Sequence, residues 1–138
     1  MKKILITFFT VLFCLTSSVG WSLTKDDLVR RDDLYYKKFS DIQFTGKITG
    51  QFQGSFKNGK EDGSWIGYHK TGQLFYKGKY KDWLEDGSWV SYWMNGQLQY
   101  KGNYKNGKKD GSWVDYNKDV TIKRELTGTF KNGEKISD

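Results

Sequence analysis

The sequence predicts an all-β protein in which β-hairpin repeats form one elongated, single-layer antiparallel meander without disulfides. Three observations support this fold class. An Asp-Gly-Ser-Trp motif recurs at intervals of 24 residues, starting at Asp62, Asp86 and Asp110. The segments between the copies alternate apolar and polar residues with period two, as a strand with one buried face does. Asn-Gly pairs, which favour two-residue hairpin turns, stand between these segments.

The first 20 residues predict a secretory signal peptide. Two lysines precede an apolar run over residues 4–15 and small residues over 16–20, which is the usual order of such a segment. The run is shorter than the roughly 20 residues of a spanning helix, so a membrane anchor is the less favoured interpretation. Cleavage after Gly20 and cleavage after Ser22 both fit. We therefore expect an exported protein, in the periplasm, in the cell envelope or secreted.

Export would remove Cys14, the only cysteine, together with the two lysines. The remaining chain would carry 21 basic and 16 acidic residues, a net charge of +5, and no thiol. Aromatic residues make up 17% of the sequence and proline is absent. Because aliphatic residues are few, Trp, Tyr and Phe must supply most of the buried area.

The domain boundaries follow from the repeat. Residues 21–33 predict a charged linker or an N-terminal cap, with a short helix as an alternative, and residues 34–138 form the repeat domain. In chain order, a degenerate cap, three full units and a second degenerate cap span about 34–53, 54–77, 78–101, 102–125 and 126–138. The pattern predicts about nine strands that stabilise one another as neighbours, since a single hairpin is marginal in water.

Within a unit, alternation places the large residues on one face. Tyr76 and Tyr80 lie on one side of an extended segment, and Lys77 and Lys79 lie on the other. Gly78, between the tyrosines, leaves space that a neighbouring aromatic ring can fill. The residues predicted to form the repeat core are Trp65, Tyr68, Leu74, Tyr76, Tyr80, Trp89, Tyr92, Leu98, Tyr100, Tyr104, Trp113 and Tyr116.

These motifs resemble those of the MORN-repeat variant family, whose units run Tyr-x-Gly-x-Tyr, a glycine-containing turn, Asp-Gly-x-Trp, then Tyr and Asn-Gly-x-Leu. The match covers about residues 34–133, and its leader over residues 34–39 is similar to that of the group labelled "YwqK family antitoxin". The resemblance implies the hairpin-repeat architecture and an antitoxin or immunity role. The chain departs from the family in its second unit, where Asp82-Trp83-Leu84 replaces Asn-Gly-Lys.

This departure supplies two of the three candidate partner-binding residues, Trp83 and Leu84; Trp93 is the third. Large apolar groups at a turn tip are costly unless something covers them. Trp83 and Leu84 are therefore interpreted either as an exposed anchor for a partner or as part of a longer loop that folds back on its own sheet. If Trp83 is an anchor, the variant Trp83→Gly should leave the fold intact and weaken partner binding.

No catalytic residue, metal site or cofactor is predicted. His69 is the only histidine and is expected to be a solvated residue at a strand end. The acidic pairs Glu61-Asp62 and Glu85-Asp86 lack the alternating oxygen donors of a calcium loop, so turn stabilisation is their favoured role. An enzyme with paired carboxylates would need a cleft between them, which a single-layer sheet is not expected to offer.

The favoured function is an exported, non-catalytic scaffold that binds another protein through the broad faces of the sheet. The alternative is a cell-envelope module that binds polysaccharide or anionic lipid, which the aromatic repeats and the lysines at the turns favour. Nucleic acid is not an expected partner, and the chain is expected to be a monomer.

Overall fold

The computed structural model describes residues 22–138, so the predicted signal peptide lies outside the described residues. No helix in that range is long and apolar enough to cross a membrane. Two short 3-10 turns lie at Lys25–Asp27 and Arg124–Leu126. The strands are β1 (Leu28–Arg31), β2 (Leu34–Lys37), β3 (Gly46–Ile48), β4 (Phe52–Lys57), β5 (Lys60–Tyr68), β6 (Leu74–Lys81), β7 (Leu84–Glu85), β8 (Gly87–Tyr92), β9 (Leu98–Lys105), β10 (Lys108–Asp115), β11 (Gly128–Lys131) and β12 (Glu134–Ser137).

The fold is an antiparallel hairpin meander in a sheet that is not closed, which confirms the predicted fold class. The main sheet runs in chain order from β3 at one end to β12 at the other and has nine strand positions. Strands β7 and β8 share one of these positions, because both pair with β6 and a short irregularity at Asp86 separates them. Strands β1 and β2 form a separate hairpin.

Two-residue turns join the strands along one edge of the sheet, called here the turn edge. Its turns Asn58–Gly59, Asn106–Gly107 and Asn132–Gly133 all have φ values between 49° and 89°. This left-handed geometry matches the twist of the flanking strands and is the one that Asn-Gly favours. Asp82–Trp83 adopts the same geometry, with φ values of 48° and 77°. The second unit therefore has a turn of the same length as the others, and the longer loop considered for Trp83 is not formed.

Each full unit is centred on a tryptophan that sits between two glycines. Trp89 stands in register with Gly102 of the following strand and leans over Gly78 of the preceding one. A Cβ atom on Gly78 would lie 2.1 Å from the Trp89 ring, so only glycine fits there. Trp65 and Trp113 repeat this arrangement, and the three tryptophans are only 1%, 4% and 4% exposed in chain order.

The tryptophans are also fixed through their ring nitrogens. In each unit the indole N–H donates to the backbone carbonyl ten residues earlier, at 3.2 Å for Trp65, 3.0 Å for Trp89 and 2.8 Å for Trp113. Tyrosine rings pack edge-on between them, as Tyr80 and Tyr104 do at 5.0 and 6.0 Å from Trp89. Edge-to-face pairs of this kind add stability beyond the area they bury. Aromatic contacts therefore link every unit to the next.

The side of the sheet that carries these tryptophans is called the aromatic face, and the other side the polar face. Of the residues predicted to form the repeat core, the tryptophans are buried. The others are half-buried, namely Tyr68, Leu74, Tyr76, Tyr80, Tyr92, Leu98, Tyr100, Tyr104 and Tyr116.

The N-terminal segment differs from the predicted linker, because β1 and β2 form a hairpin that covers the first unit. Leu28 is 7% exposed, and the Tyr35 ring lies 4.8 Å from that of Phe56. The Tyr35 N–H donates to the Gly59 carbonyl at 2.8 Å, which ties the hairpin to the turn edge. Residues 28–37 therefore form one hairpin across the predicted boundary at residue 33, and the role of this segment as an N-terminal cap stays a prediction.

The connection between β10 and β11 is longer than the corresponding turns of the other units. It contains a bridge between Tyr116 and Ile122 and the 3-10 turn at Arg124–Leu126. The Thr127 hydroxyl accepts a hydrogen bond from the Asp115 N–H at 2.9 Å and so closes the connection. This is the point at which the sequence repeat slips, near Lys123.

Candidate binding cleft

A contact between a ring nitrogen and a backbone carbonyl repeats at the strand ends opposite the turn edge. His69 and Trp93 occupy the same position in successive units, 24 residues apart. The His69 Nε2 atom lies 2.9 Å from the Tyr92 carbonyl oxygen, and the Trp93 Nε1–H donates to the Tyr116 carbonyl at 3.3 Å. Because a carbonyl can only accept, the His69 contact requires its proton on Nε2. Each ring thereby holds its own unit against the next one.

His69 is accordingly not the solvated residue that the sequence suggested. It is half-buried, and its ring centroid lies 4.7 Å from that of Phe75. The alignment of residue 69 with residue 93 was visible in the 24-residue period, but the carbonyl that each ring contacts was not.

A cleft of about 410 Å³ opens beside these rings, at the boundary between two units. Its walls are mostly aromatic, and Met94 at its mouth is 61% exposed. The lining residues are His69, Phe75, Tyr76, Ser91, Tyr92, Trp93, Met94, Gln99, Tyr100 and Lys118. A concave, largely apolar surface with a few polar groups is the usual form of a binding pocket.

The polar groups of the cleft are held in defined positions. The Ser91 hydroxyl, 1% exposed as a residue, lies 3.0 Å from both the Phe75 carbonyl and the Gln99 Oε1 atom. Burial raises the pKa of Tyr76 to about 12 and also raises the pKa of Tyr100. Both phenols are therefore neutral at physiological pH.

Two cations flank the Trp93 ring. The Nζ atoms of Lys118 and Lys123 each lie 5.5 Å from its centroid, within the range of a cation–π contact. Lys123 also lies 3.1 Å from the Asp115 carboxylate, which is 11% exposed. Both lysines belong to the long connection between β10 and β11. The slip in the repeat therefore places two lysines beside Trp93, of which Lys118 lines the cleft, and the sequence pattern alone did not reveal this.

Trp83 is half-buried at the turn edge, beside two cations. The Arg30 guanidinium and the Lys60 Nζ lie 5.5 and 6.0 Å from its ring centroid, and its backbone N–H donates to the Glu61 carbonyl at 3.0 Å. Leu84 is 44% exposed and lies close to Gly107 of the next turn. The structure thus covers Trp83 in part and leaves Leu84 accessible.

The three candidate residues from the sequence do not form one site. Trp83 and Leu84 lie at the turn edge, whereas Trp93 lies at the opposite edge. The eight residues of β6 separate the two edges, a distance of about 27 Å at 3.4 Å per residue. Of the three, Trp93 alone lines the cleft.

No aspartate or glutamate is among the described residues that line the cleft. Within residues 22–138, no group of three or more His, Cys, Asp and Glu side chains could hold a metal ion. Glu61, on the aromatic face near the turn edge, has a carboxylate oxygen without a hydrogen-bond partner in the described chain, and burial raises its pKa. Fold and cleft together describe a β-hairpin repeat protein with an aromatic cleft at a unit boundary.

No protein-family model and no curated protein matches the chain.

Proposed function

We propose that the chain is an exported, non-catalytic scaffold that binds another protein, and that the cleft at Trp93 receives an apolar side chain of that partner. The observation that carries this proposal is the aromatic, methionine-containing lining of an open cleft at a unit boundary. Aromatic residues and methionine are enriched at protein interfaces, and tryptophan is prominent among the residues that contribute most to binding.

The rim of the cleft indicates the chemistry of the partner. Lys118 and Lys123 stand beside Trp93, and Lys123 is paired with Asp115. Lys118 is therefore the cation at the rim of the cleft that can meet an acidic group of the partner. A complementary ligand would place an aromatic or aliphatic side chain in the cleft and acidic residues around it. Complementary charge of this kind contributes mainly to specificity and to the association rate.

An antitoxin or immunity role is a narrower form of the same proposal. It rests on the family resemblance and on the predicted signal peptide, which together favour a partner that acts in the cell envelope. Such a partner would be a polypeptide encoded beside this chain.

The proposal is tested with two cleft variants and one variant at the turn edge. Trp93→His introduces the residue that the preceding unit has at this position, which can keep the contact with the Tyr116 carbonyl while losing most of the apolar surface. Met94→Ser alters an exposed residue of the cleft mouth. Trp83→Gly changes the turn edge and serves as the matched control.

Each protein, lacking residues 1–21, is used to capture polypeptides from an envelope extract of its own organism, and affinity for the captured protein is then measured by calorimetry. We expect one defined polypeptide, bound at least tenfold more weakly by Trp93→His and Met94→Ser than by Trp83→Gly. Unchanged binding by both cleft variants would overturn the role of the cleft. Loss of binding in Trp83→Gly alone would place the anchor at the turn edge instead.

A further inference from the structure

The polar face carries an ordered array of lysines. Lys77 of β6 and Lys101 of β9 stand in one row across the sheet, in register with Val90 of β8 between them. Ile66 and Val114 continue the same row on either side. Lysine and a β-branched aliphatic residue therefore alternate from strand to strand. Both lysines are exposed, whereas the three aliphatic residues are half-buried.

A second row runs beside the first and is rich in hydroxyl groups. Ser64 faces Lys79, and Ser88 faces Asn103 with a hydrogen bond of 2.8 Å between their side chains. Ser112 repeats the position of Ser64 and Ser88 in the third unit. The face thus combines cations, hydroxyls and small apolar patches in a pattern that repeats with the unit.

Charge is distributed unequally between the two faces. The register places Glu61, Glu85 and Asp115 on the aromatic face, opposite Phe56, Tyr80 and Tyr100 respectively. It also places Lys109 on the aromatic face opposite Tyr104 and Asp62 on the polar face opposite Ser55. The lysines at positions 47, 77, 79 and 101 fall on the polar face, and none of them takes part in an ion pair of the described chain. These cations are therefore free to meet an external anion.

Two shallow grooves on this face are copies of each other. The first, of about 490 Å³, is lined by Ser64, Lys77, Ser88 and Val90 among others. The second, of about 430 Å³, is lined by their equivalents 24 residues later, which include Lys101 and Val114. The grooves share Ser88 and Lys101, so they form one continuous track across the strands.

The repeat distance of this track is set by the sheet. One unit contributes two strands, so equivalent atoms of neighbouring grooves are about 10 Å apart at about 4.8 Å per strand. One disaccharide of an extended glycan chain has about the same length. Lys77 and Lys101, two strands apart, have the spacing of anionic groups that occur once per disaccharide.

We propose that the polar face binds a linear glycan that carries one carboxylate per disaccharide and runs across the strands, one disaccharide per unit. The lysines of the first row pair with the carboxylates. The serine hydroxyls and Asn103 exchange hydrogen bonds with the sugar hydroxyls, and Val90 and Val114 contact the C–H faces of the rings. This surface is separate from the cleft at Trp93 and would operate alongside it.

The composition of the face favours a glycan over other polyanions. A membrane surface is usually bound by large exposed apolar residues together with cations, whereas the aliphatic residues here are small and half-buried. Single-stranded nucleic acid is bound by aromatic side chains on which bases stack, and the three repeat tryptophans of this sheet lie on the opposite face.

The test uses the chain without residues 1–21 and hexasaccharides of hyaluronan and of unsulfated chondroitin as probes. Chitohexaose serves as the neutral counterpart. Poly-glutamate and phosphatidylglycerol vesicles serve as anionic probes without the sugar repeat. The variant K77Q/K101Q removes two charges from the track, and K38Q/K70Q removes two exposed charges elsewhere. Affinity is measured by calorimetry at constant salt, after thermal unfolding has shown that both variants are folded.

We expect at least one acidic hexasaccharide to bind, with chitohexaose binding at least tenfold more weakly. K77Q/K101Q should lose at least tenfold in affinity, and K38Q/K70Q should stay within twofold of the unaltered chain. No binding of either acidic hexasaccharide would overturn the proposal. Equal losses in the two variants would also overturn it by showing an effect of net charge alone. Tighter binding to poly-glutamate or to the vesicles would assign the face to a different anion.

Discussion

Glycine at positions 54, 78 and 102 decides how closely each tryptophan can approach the strand before it. At all three positions a Cβ atom would lie within 2.3 Å of the indole ring. The sequence showed these glycines as part of the repeat and suggested that a ring fills the space. It could not show that the ring comes from the following strand, because the register is irregular at Gly54 and next to Trp113.

Gly78→Ala should therefore destabilise the protein by about 3 kcal/mol, because an overpacked core must move the Trp89 ring or the strand. Gly63→Ala is the matched control, since nothing lies within 4 Å of its Cβ and only its φ of 78° is strained, at a cost of about 1 kcal/mol. Urea unfolding measures the free energy of unfolding of both variants. If both variants lost the same free energy of unfolding, these glycines would relieve backbone strain instead of making room for the tryptophan.

Glu61 is one residue whose titration should affect the stability of the fold. Burial raises its pKa in the folded chain above the ordinary value of 4.5. The folded state therefore holds this proton more tightly than the unfolded state. Stability linked to Glu61 is fully present below the unfolded pKa and is lost as pH rises through the folded pKa.

Glu61→Gln should accordingly stabilise the protein at pH 7 by about 1 kcal/mol, since it removes a partly desolvated charge, and should flatten the fall in stability above pH 4.5. Thermal unfolding between pH 4 and pH 8 measures this. Glu85→Gln, at the same position of the next unit, is the control. A Glu61→Gln protein that is less stable than the unaltered chain at neutral pH would show that the carboxylate makes a favourable interaction instead.

The strands and turns whose own residues favour one backbone geometry were predicted from the sequence, and the others were not. The Asn-Gly turns and the alternating strands were predictable because their residue types specify backbone geometry directly. The hairpin of β1 and β2 was not predicted as one element, because residues 21–33 were interpreted as a charged linker or an N-terminal cap and residues 34–53 as a degenerate cap. The turn of this hairpin is Asp32–Asp33 instead of Asn-Gly. That turn nevertheless adopts φ values of 48° and 62°. Its burial of Leu28 comes from contact with residues much later in the chain.

The hairpin should contribute to the stability of the whole protein if it is a cap. Leu28→Ala should then lower the free energy of unfolding by about 2–3 kcal/mol, because it removes a buried side chain. Val29→Ala, at a position that is 37% exposed on the same strand, should cost less than about 1 kcal/mol. If Leu28→Ala left the unfolding midpoint unchanged, the hairpin would not stabilise the fold and the segment would be a linker.

The candidate cleft was only partly predictable from the sequence. Trp93 was singled out, but His69 and Lys118 were not expected to join it. Their proximity arises because strand ends of adjacent units align at one edge and because the β10–β11 connection is longer than the others. A repeat pattern identifies equivalent positions, whereas a cleft forms between positions that are not equivalent.

Across the whole molecule, the 24-residue units stabilise one another as nearest neighbours. Each tryptophan contacts glycines on the two adjacent strands, and each turn donates a hydrogen bond to the turn region before it, as the Trp83 and Gly107 N–H groups do to Glu61 and Glu85. Deletion of residues 78–101 would join Lys77 to Gly102, which recreates the Lys-Gly pair already present at the next boundary. Trp65 and Trp113 would then share Gly102.

Thermal unfolding of this deletion variant, followed by near-ultraviolet circular dichroism, tests whether neighbouring units are enough to stabilise one another. We predict that the aromatic signal persists and disappears in a single cooperative transition, at a lower midpoint than in the full chain. Loss of the aromatic signal at every temperature would contradict the account, because it would show that the sheet folds only as one indivisible set of nine strand positions.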